Sequence, residues 1–131
     1  MNSFPGGDHN MEIVVSVPVY PTESPEKIEK ALENLFPSLH FTLSEKGFTG
    51  TSQDIEALNT MKMLLEKQRI RDTAQDILIR NVHSKTLTFS FNKQAAYMGK
   101  INFSEECSLD PIVVSITDED IQSVIRYVSS T

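Results

Sequence analysis

IEALNTMKMLLEKQRIRDTAQDILIRN, residues 55–81, holds neither glycine nor proline and is rich in strong helix formers. Its apolar residues do not stay on one face. Ile55, Leu58, Met61 and Leu65 form one stripe; Ile70, Ala74, Ile77 and Leu78 form another, roughly 140° away at 100° per residue. One straight helix cannot bury both stripes against a single layer. The spacing therefore predicts two helices, or one sharp bend, near Glu66 to Gln68, although no breaker residue marks the place. Ser52 is the cap expected before this region, with Asp54 following it.

Upstream, MEIVVSVPVY (11–20) alternates Ile13, Val15, Val17 and Val19 against Val14, Ser16 and Pro18, the pattern of a strand with one buried face. Pro18 cannot donate to a ladder and marks an edge or a bulge. Ser24 caps a helix with Pro25 at its first position and Ile28, Ala31, Leu32 and Leu35 on one face, ended by Pro37. Residues 39–44 alternate as a second strand. GFTG (47–50) either pairs back or simply turns. Downstream, TLTFSF (86–91) and KINF (100–103) read as strands flanking NKQAA, which lacks an ordinary turn signal. Residues 110–117 give another strand, and Thr117 caps a last helix whose first turn holds Asp118, Glu119 and Asp120. The order β-α-β-α-α-β-β-β-α predicts a single α+β domain, its helices packed on one face of a largely antiparallel or mixed sheet.

At 131 residues and 39% hydrophobic, the chain is the size of one domain with one core. No apolar run approaches the roughly 20 residues that span a bilayer. Residues 1–10 lack a basic start and an apolar segment, so they read as a disordered extension or a vector remnant, and Met11 reads equally well as a start. The single Cys107 cannot close an internal disulfide, which points to the reducing cytoplasm.

Net charge is −6, unlike a typical nucleic-acid binder, but it is unevenly spread. Residues 61–100 hold eight bases against three acids, while the rest holds four bases against fifteen acids. A basic middle is thus flanked by acidic ends. A solvated, mixed-charge helix surface gives the same count. Adjacent acids at 118–120 suit a helix start better than a cation. His9, His40 and His83 lie apart, without metal-ligand spacing or a visible nucleophile partner. GFTG has neither the glycine spacing nor the lysine of a phosphate loop. No cofactor is expected, and the chain reads as a protein without catalytic activity.

Two polar segments remain. In QRIRDTAQ (68–75), helical spacing turns Ile70 and Ala74 inward, places Gln68, Arg71 and Gln75 outward, and puts Arg69 and Thr73 on a flank with Arg80. Guanidinium forks match phosphate, and glutamine can read a base edge. The other reading is helix ion pairing, Asp76 with Arg80 and Arg69 with Asp72. In NKQAAYMGK (92–100), Lys93 and Lys100 suit phosphates, Asn92 and Gln94 suit base edges, and Tyr97 offers a stacking surface. Alternatively the amides satisfy backbone groups where strands part, while Ala95 and Ala96 let a helix pack closely.

VYPTESPEKIEKAL (19–32), LLEKQRIRDTAQDIL (64–78), FNKQAAYMGKINF (91–103) and LDPIVVSI (109–116) together resemble an archaeal family of predicted RNA-binding or exosome-associated proteins. Its fold is similar to that of ribosomal protein five of the large subunit. The resemblance covers Met11 to about Val128, and QRIxDTA and NKQAA are its most specific segments. It implies roles for Pro21, Thr22 and Glu23 in the turn before the first helix, and for Gln68, Arg69, Asp72, Thr73, Asn92, Lys93 and Gln94. Gln75 departs from an expected arginine, and Asp110 from an expected glycine. The expected partner is RNA or an RNA-processing complex, contacted by Arg69, Arg71, Lys93 and Lys100 at phosphates, with Asn92, Gln94 and Tyr97 nearby. The rival is a protein-interaction module whose polar segments serve the fold; oligomeric state is not legible.

Overall fold

The alternation of residues 11–20 becomes strand β1 (Glu12–Val17), with Ile13, Val15 and Val17 buried and Val14 and Ser16 half-buried on the other face. In the computed structural model, which describes residues 11–104 and 111–129, the elements that follow are α1 (Pro25–Leu35), β2 (Phe41–Ser44), β3 (Gly47–Ser52), a 3-10 turn (Ile55–Leu58), α2 (Asn59–Lys67), α3 (Arg71–Arg80), β4 (Val82–His83), β5 (Thr86–Phe91), α4 (Lys93–Tyr97), β6 (Ile112–Thr117) and α5 (Ile121–Ser129). The expectations for residues 1–10 and for Cys107 and Asp110 lie outside the described residues.

The strands form one sheet in the order β2-β3-β1-β6-β5-β4, antiparallel throughout. β1 is central, with Val15 opposite Gly50 on one side and Val114 on the other. Ile13, Val15, Leu87, Phe89, Phe91, Ile112, Val114 and Ile116 point to the face covered by the helices and join one core with Leu32, Leu35, Phe36, Leu58, Met61, Leu65, Leu78, Val124 and Ile125. The opposite face carries Glu12, Ser16, Thr49, Thr51, Thr88, Ser90 and Ser115, polar and at least partly exposed. This is the expected α+β layer.

The two-stripe region does split. α2 ends in a Schellman motif: Ile70 N–H donates to Leu65 O (3.0 Å) and Arg69 N–H to Glu66 O (3.1 Å), with Arg69 at φ 61°. Glycine is the usual residue at that left-handed position. An arginine there explains why no breaker is visible in the sequence. Ile55, Leu58, Met61 and Leu65 are buried as expected; of the second stripe, Ala74 and Leu78 are fully buried while Ile70 and Ile77 are half-buried.

One open reading is resolved and four expectations are corrected. Of the two readings of GFTG, pairing back holds: it opens β3, which pairs with both β2 and β1. Glycine is required here: a Cβ on Gly47 (φ +116°) would sit 2.1 Å from Val17 O, and one on Gly50 would strike the Phe41 ring at 2.7 Å. The segment between the downstream strands is helix α4, because Asn92 caps it and two alanines follow. Residues 100–103 make only a single bridge, Phe91 to Phe103, rather than a strand. Thr117 stays in β6; Asp120 caps α5, its carboxylate accepting from Ser123 N–H (3.3 Å) and Oγ (2.5 Å), while buried Asp118 accepts from Asp120 N–H (3.0 Å). Ser52 likewise caps nothing helical: Asp54 caps the 3-10 turn through Glu56 N–H.

Candidate functional site

Three of the four segments that carry the family resemblance converge around α4. In the first, Tyr20 to Glu23 form a turn closed by Glu23 N–H to Tyr20 O (2.8 Å) and Tyr20 N–H to the Glu23 carboxylate (2.9 Å). Pro21 and Thr22 sit exposed at its tip. Glu23 then reaches Lys93 Nζ at 3.0 Å, and the same ammonium donates to Pro18 O (3.1 Å) and stands 5.6 Å from the centre of the Tyr20 ring. The Lys93 side chain is only 13% exposed. Its charge is met within the fold.

Asn92 is used in the same way. Its Oδ1 accepts from Ala95 N–H (2.9 Å), and its own N–H donates to Asn102 O (2.9 Å). The far end of α4 is held by Asn34, whose Nδ2 donates to the carbonyls of Ala96 and Tyr97, each at 3.0 Å. Ala96, fully buried, allows α4 to lie close on α1. Gln94 and Tyr97, three apart, stay exposed on the outer side.

Gln68 is not the outward-facing residue that helical spacing suggests. At the end of α2 its side chain imitates a strand neighbour: Nε2 donates to Ile101 O (2.9 Å) and Oε1 accepts from Ile101 N–H (2.8 Å). This satisfies both main-chain groups of Ile101, whose side chain is buried. It also ties the α2–α3 bend to the residue after Lys100. Arg69 and Arg71 share a hollow of about 350 Å3 with Glu66 and Asp72 at this corner. Arg69 and Lys100 are exposed and Arg71 half-buried.

Among the described residues, neither arginine nor Lys100 has a carboxylate partner; the ion pairs are Lys93–Glu23 and Lys85–Glu119. Of the helix pairings open in the sequence, Arg80 Nε bonds the Asp76 carbonyl (3.2 Å) rather than its carboxylate. α3 starts at Arg71 with Ile70 at its cap position and no side-chain cap, so its first amides face the same corner, where Asp72 and exposed Thr73 begin the helix. Two guanidinium forks, an ammonium and a helix start suit an anion; Glu66 and Asp72 moderate the field.

Elsewhere the electrostatics are structural. Lys85, 2.7 Å from Glu119, holds that exposed carboxyl below the usual carboxylate range through its hydrogen bond and its charge. Burial, with the charge of Glu56 adding to it, pushes the Tyr127 hydroxyl up; that hydroxyl bonds Asn59, and Lys62 Nζ lies 4.4 Å from the ring centre. No group of three or more metal-ligating side chains occurs among the described residues, and none of their helices is long and apolar enough to cross a membrane.

Sequence reading singled out Gln94 and Tyr97 but not what faces them. A second hollow, about 460 Å3, opens between α1 and α4, lined by Gln94, Tyr97 and Met98 on one side and Ser24, Lys27 and Ile28 on the other. Lys27 and Met98 carry no local signal; only packing of α1 on α4 assembles them.

A family model described as RNA binding matches residues 12–118. A UPF0201 protein of Thermococcus onnurineus is 36% identical over 122 residues, covering 90% of each chain. Another, of Methanothermobacter thermautotrophicus, is 37% identical over 120 residues, again covering 90% of each. The crystal structure of a UPF0201 protein from Methanococcus jannaschii superposes with a TM-score of 0.78 at 32% identity, covering 90% of this chain and 92% of that one. Sequence and architecture agree along nearly the whole length, and the chain belongs to the archaeal UPF0201 family, whose model carries the description RNA binding.

Proposed function

We propose that this protein binds RNA through the corner formed by Arg69, Arg71 and Lys100, as a non-catalytic accessory component of a cytoplasmic RNA-processing complex such as the exosome. The observation that carries the reading is Arg69 itself. A non-glycine residue in left-handed conformation costs roughly 1–2 kcal/mol, and such strain persists where the side chain has a use. Here the guanidinium is exposed and without an ion-pair partner among the described residues, in the one basic part of an acidic chain. The family description supports RNA as the partner. The ribosomal protein five resemblance belongs to the same proposal as an analogy of fold.

Phosphate contacts release counterions, so affinity for single-stranded RNA should fall with salt, with a slope of about −0.7 per phosphate neutralised. In fluorescence anisotropy across a salt series, Arg69→Ala and Arg71→Ala should each weaken binding and lower the slope by about one contact. Absence of binding by the wild-type protein at low salt sinks the reading. Lys93 and Asn92 are left out of the contact set because Glu23, Pro18 and the α4 backbone already engage them.

A further inference from the structure

We propose that the hollow between α1 and α4 receives one unpaired base of a bound RNA strand, stacked on Tyr97, with Lys27 at the neighbouring phosphate. The proposal rests on the RNA reading above and adds a second, chemically different subsite to it. Its chemistry favours a base over a phosphate. Lys93, which borders the hollow, is already paired with Glu23, so that pair offers little net positive charge. The remaining lining is mainly apolar, from Tyr97 (42% exposed), Met98 (71% exposed) and the buried Ile28, with the Gln94 amide and the Ser24 hydroxyl as neutral polar groups. An aromatic face, a polarizable thioether and an amide form a surface on which a splayed-out base can stack and be read at its edge.

The surface is also held in place before any ligand arrives. α4 is capped by Asn92, clamped by Asn34 through the carbonyls of Ala96 and Tyr97, and anchored through Lys93 to the Tyr20–Glu23 turn. Stacking on a ring carried by a pinned helix costs little ordering of the protein backbone. The volume of about 460 Å3 falls in the range of small-ligand pockets. Lys27, exposed on the first turn of α1, is the cation without an ion-pair partner among the described residues of this rim. α4 runs from here toward Lys100, so base and phosphate subsites lie along one short helix and the turn after it.

A short single-stranded RNA carrying one 2-aminopurine tests this, beside a duplex of the same sequence whose bases are not free to stack. Wild type should quench the 2-aminopurine on binding. Tyr97→Ala should lose the quench and bind the single strand roughly tenfold more weakly, with duplex binding unchanged, while Tyr97→Phe keeps both. A Tyr97→Ala protein that quenches and binds like wild type overturns the base subsite, leaves the RNA reading standing, and hands the hollow to a protein ligand. Equal losses in Tyr97→Ala and Tyr97→Phe, or on both RNA forms, overturn it too. Failure of wild type to bind either RNA at low salt removes the RNA reading and this subsite together.

Discussion

The α2–α3 bend and helix α4 draw on the same residue types and use them in opposite ways. At α4, Asn92 and Lys93 turn back onto the chain, one to cap the helix and one to join it to Glu23 and Pro18. At the bend, Gln68 does the inward work, and Arg69 and Arg71 are left with no ion pair among the described residues. Type and spacing alone do not separate a structural cation from an available one. Local backbone geometry does: Lys93 begins a helix lying against α1, whereas Arg69 occupies the left-handed end of α2, which holds its side chain away from the core.

The sharpest way to break this contrast is Gln68→Ala. It strips both partners from the Ile101 main chain, leaving a donor and an acceptor half-buried, and should cost about 2–3 kcal/mol in urea unfolding. A loss within a few tenths would mean that the bend and the segment after α4 are not coupled through this side chain. Lys93→Ala follows at about 2 kcal/mol, since it removes an ammonium held by the Glu23 carboxylate and the Pro18 carbonyl in a partly buried site, and thermal unfolding should fall by roughly 6–10 °C. RNA affinity measured well below that melting point should fall only modestly, through a loosened α4 and the Glu23 carboxylate left beside the hollow, with the salt slope unchanged; a lowered salt slope would move Lys93 to the available group. The smallest effect is expected from Arg69→Gly, which relieves the positive φ and should leave stability unchanged or raise it by up to about 1 kcal/mol, while weakening RNA binding. Marked destabilisation would show that Arg69 is retained for packing instead.

Much of the fold was readable because burial imposes a period. The alternation at β1, β5 and β6 and the faces of α1, α2 and α5 match the buried residues closely. The bend was legible from the stripe shift, although its cause was not, since an arginine replaced the usual glycine. β3 was left open between pairing and turning because its two glycines mark close contacts with Val17 and Phe41 that exist only once the strands pair. Helix α4 was missed because five residues are too few to show a period, and its clamp Asn34 lies 62 residues away from Ala96. The candidate site followed the same division. Arg69, Arg71 and Lys100 were identifiable from local charge. The engagement of Lys93 by Glu23, of Ile101 by Gln68, and the meeting of Lys27 with Tyr97 all required distant segments to be brought together.

The placement of β1 at the centre of the sheet also bears on how the molecule comes into being. Ile13 pairs with Ser52 on one side but with Ile116 on the other. As the chain leaves the ribosome, β1 can acquire its first neighbour early, yet its second edge stays open until about a hundred further residues have been made. Pairings of such long sequence separation close slowly, because the loop entropy is lost before the contacts repay it. The β2–β3–β1 unit is thus expected to wait, one hydrogen-bonding edge unpaired, for β6 to arrive. The emergence of β6, rather than local helix formation, would then set the moment at which the sheet closes.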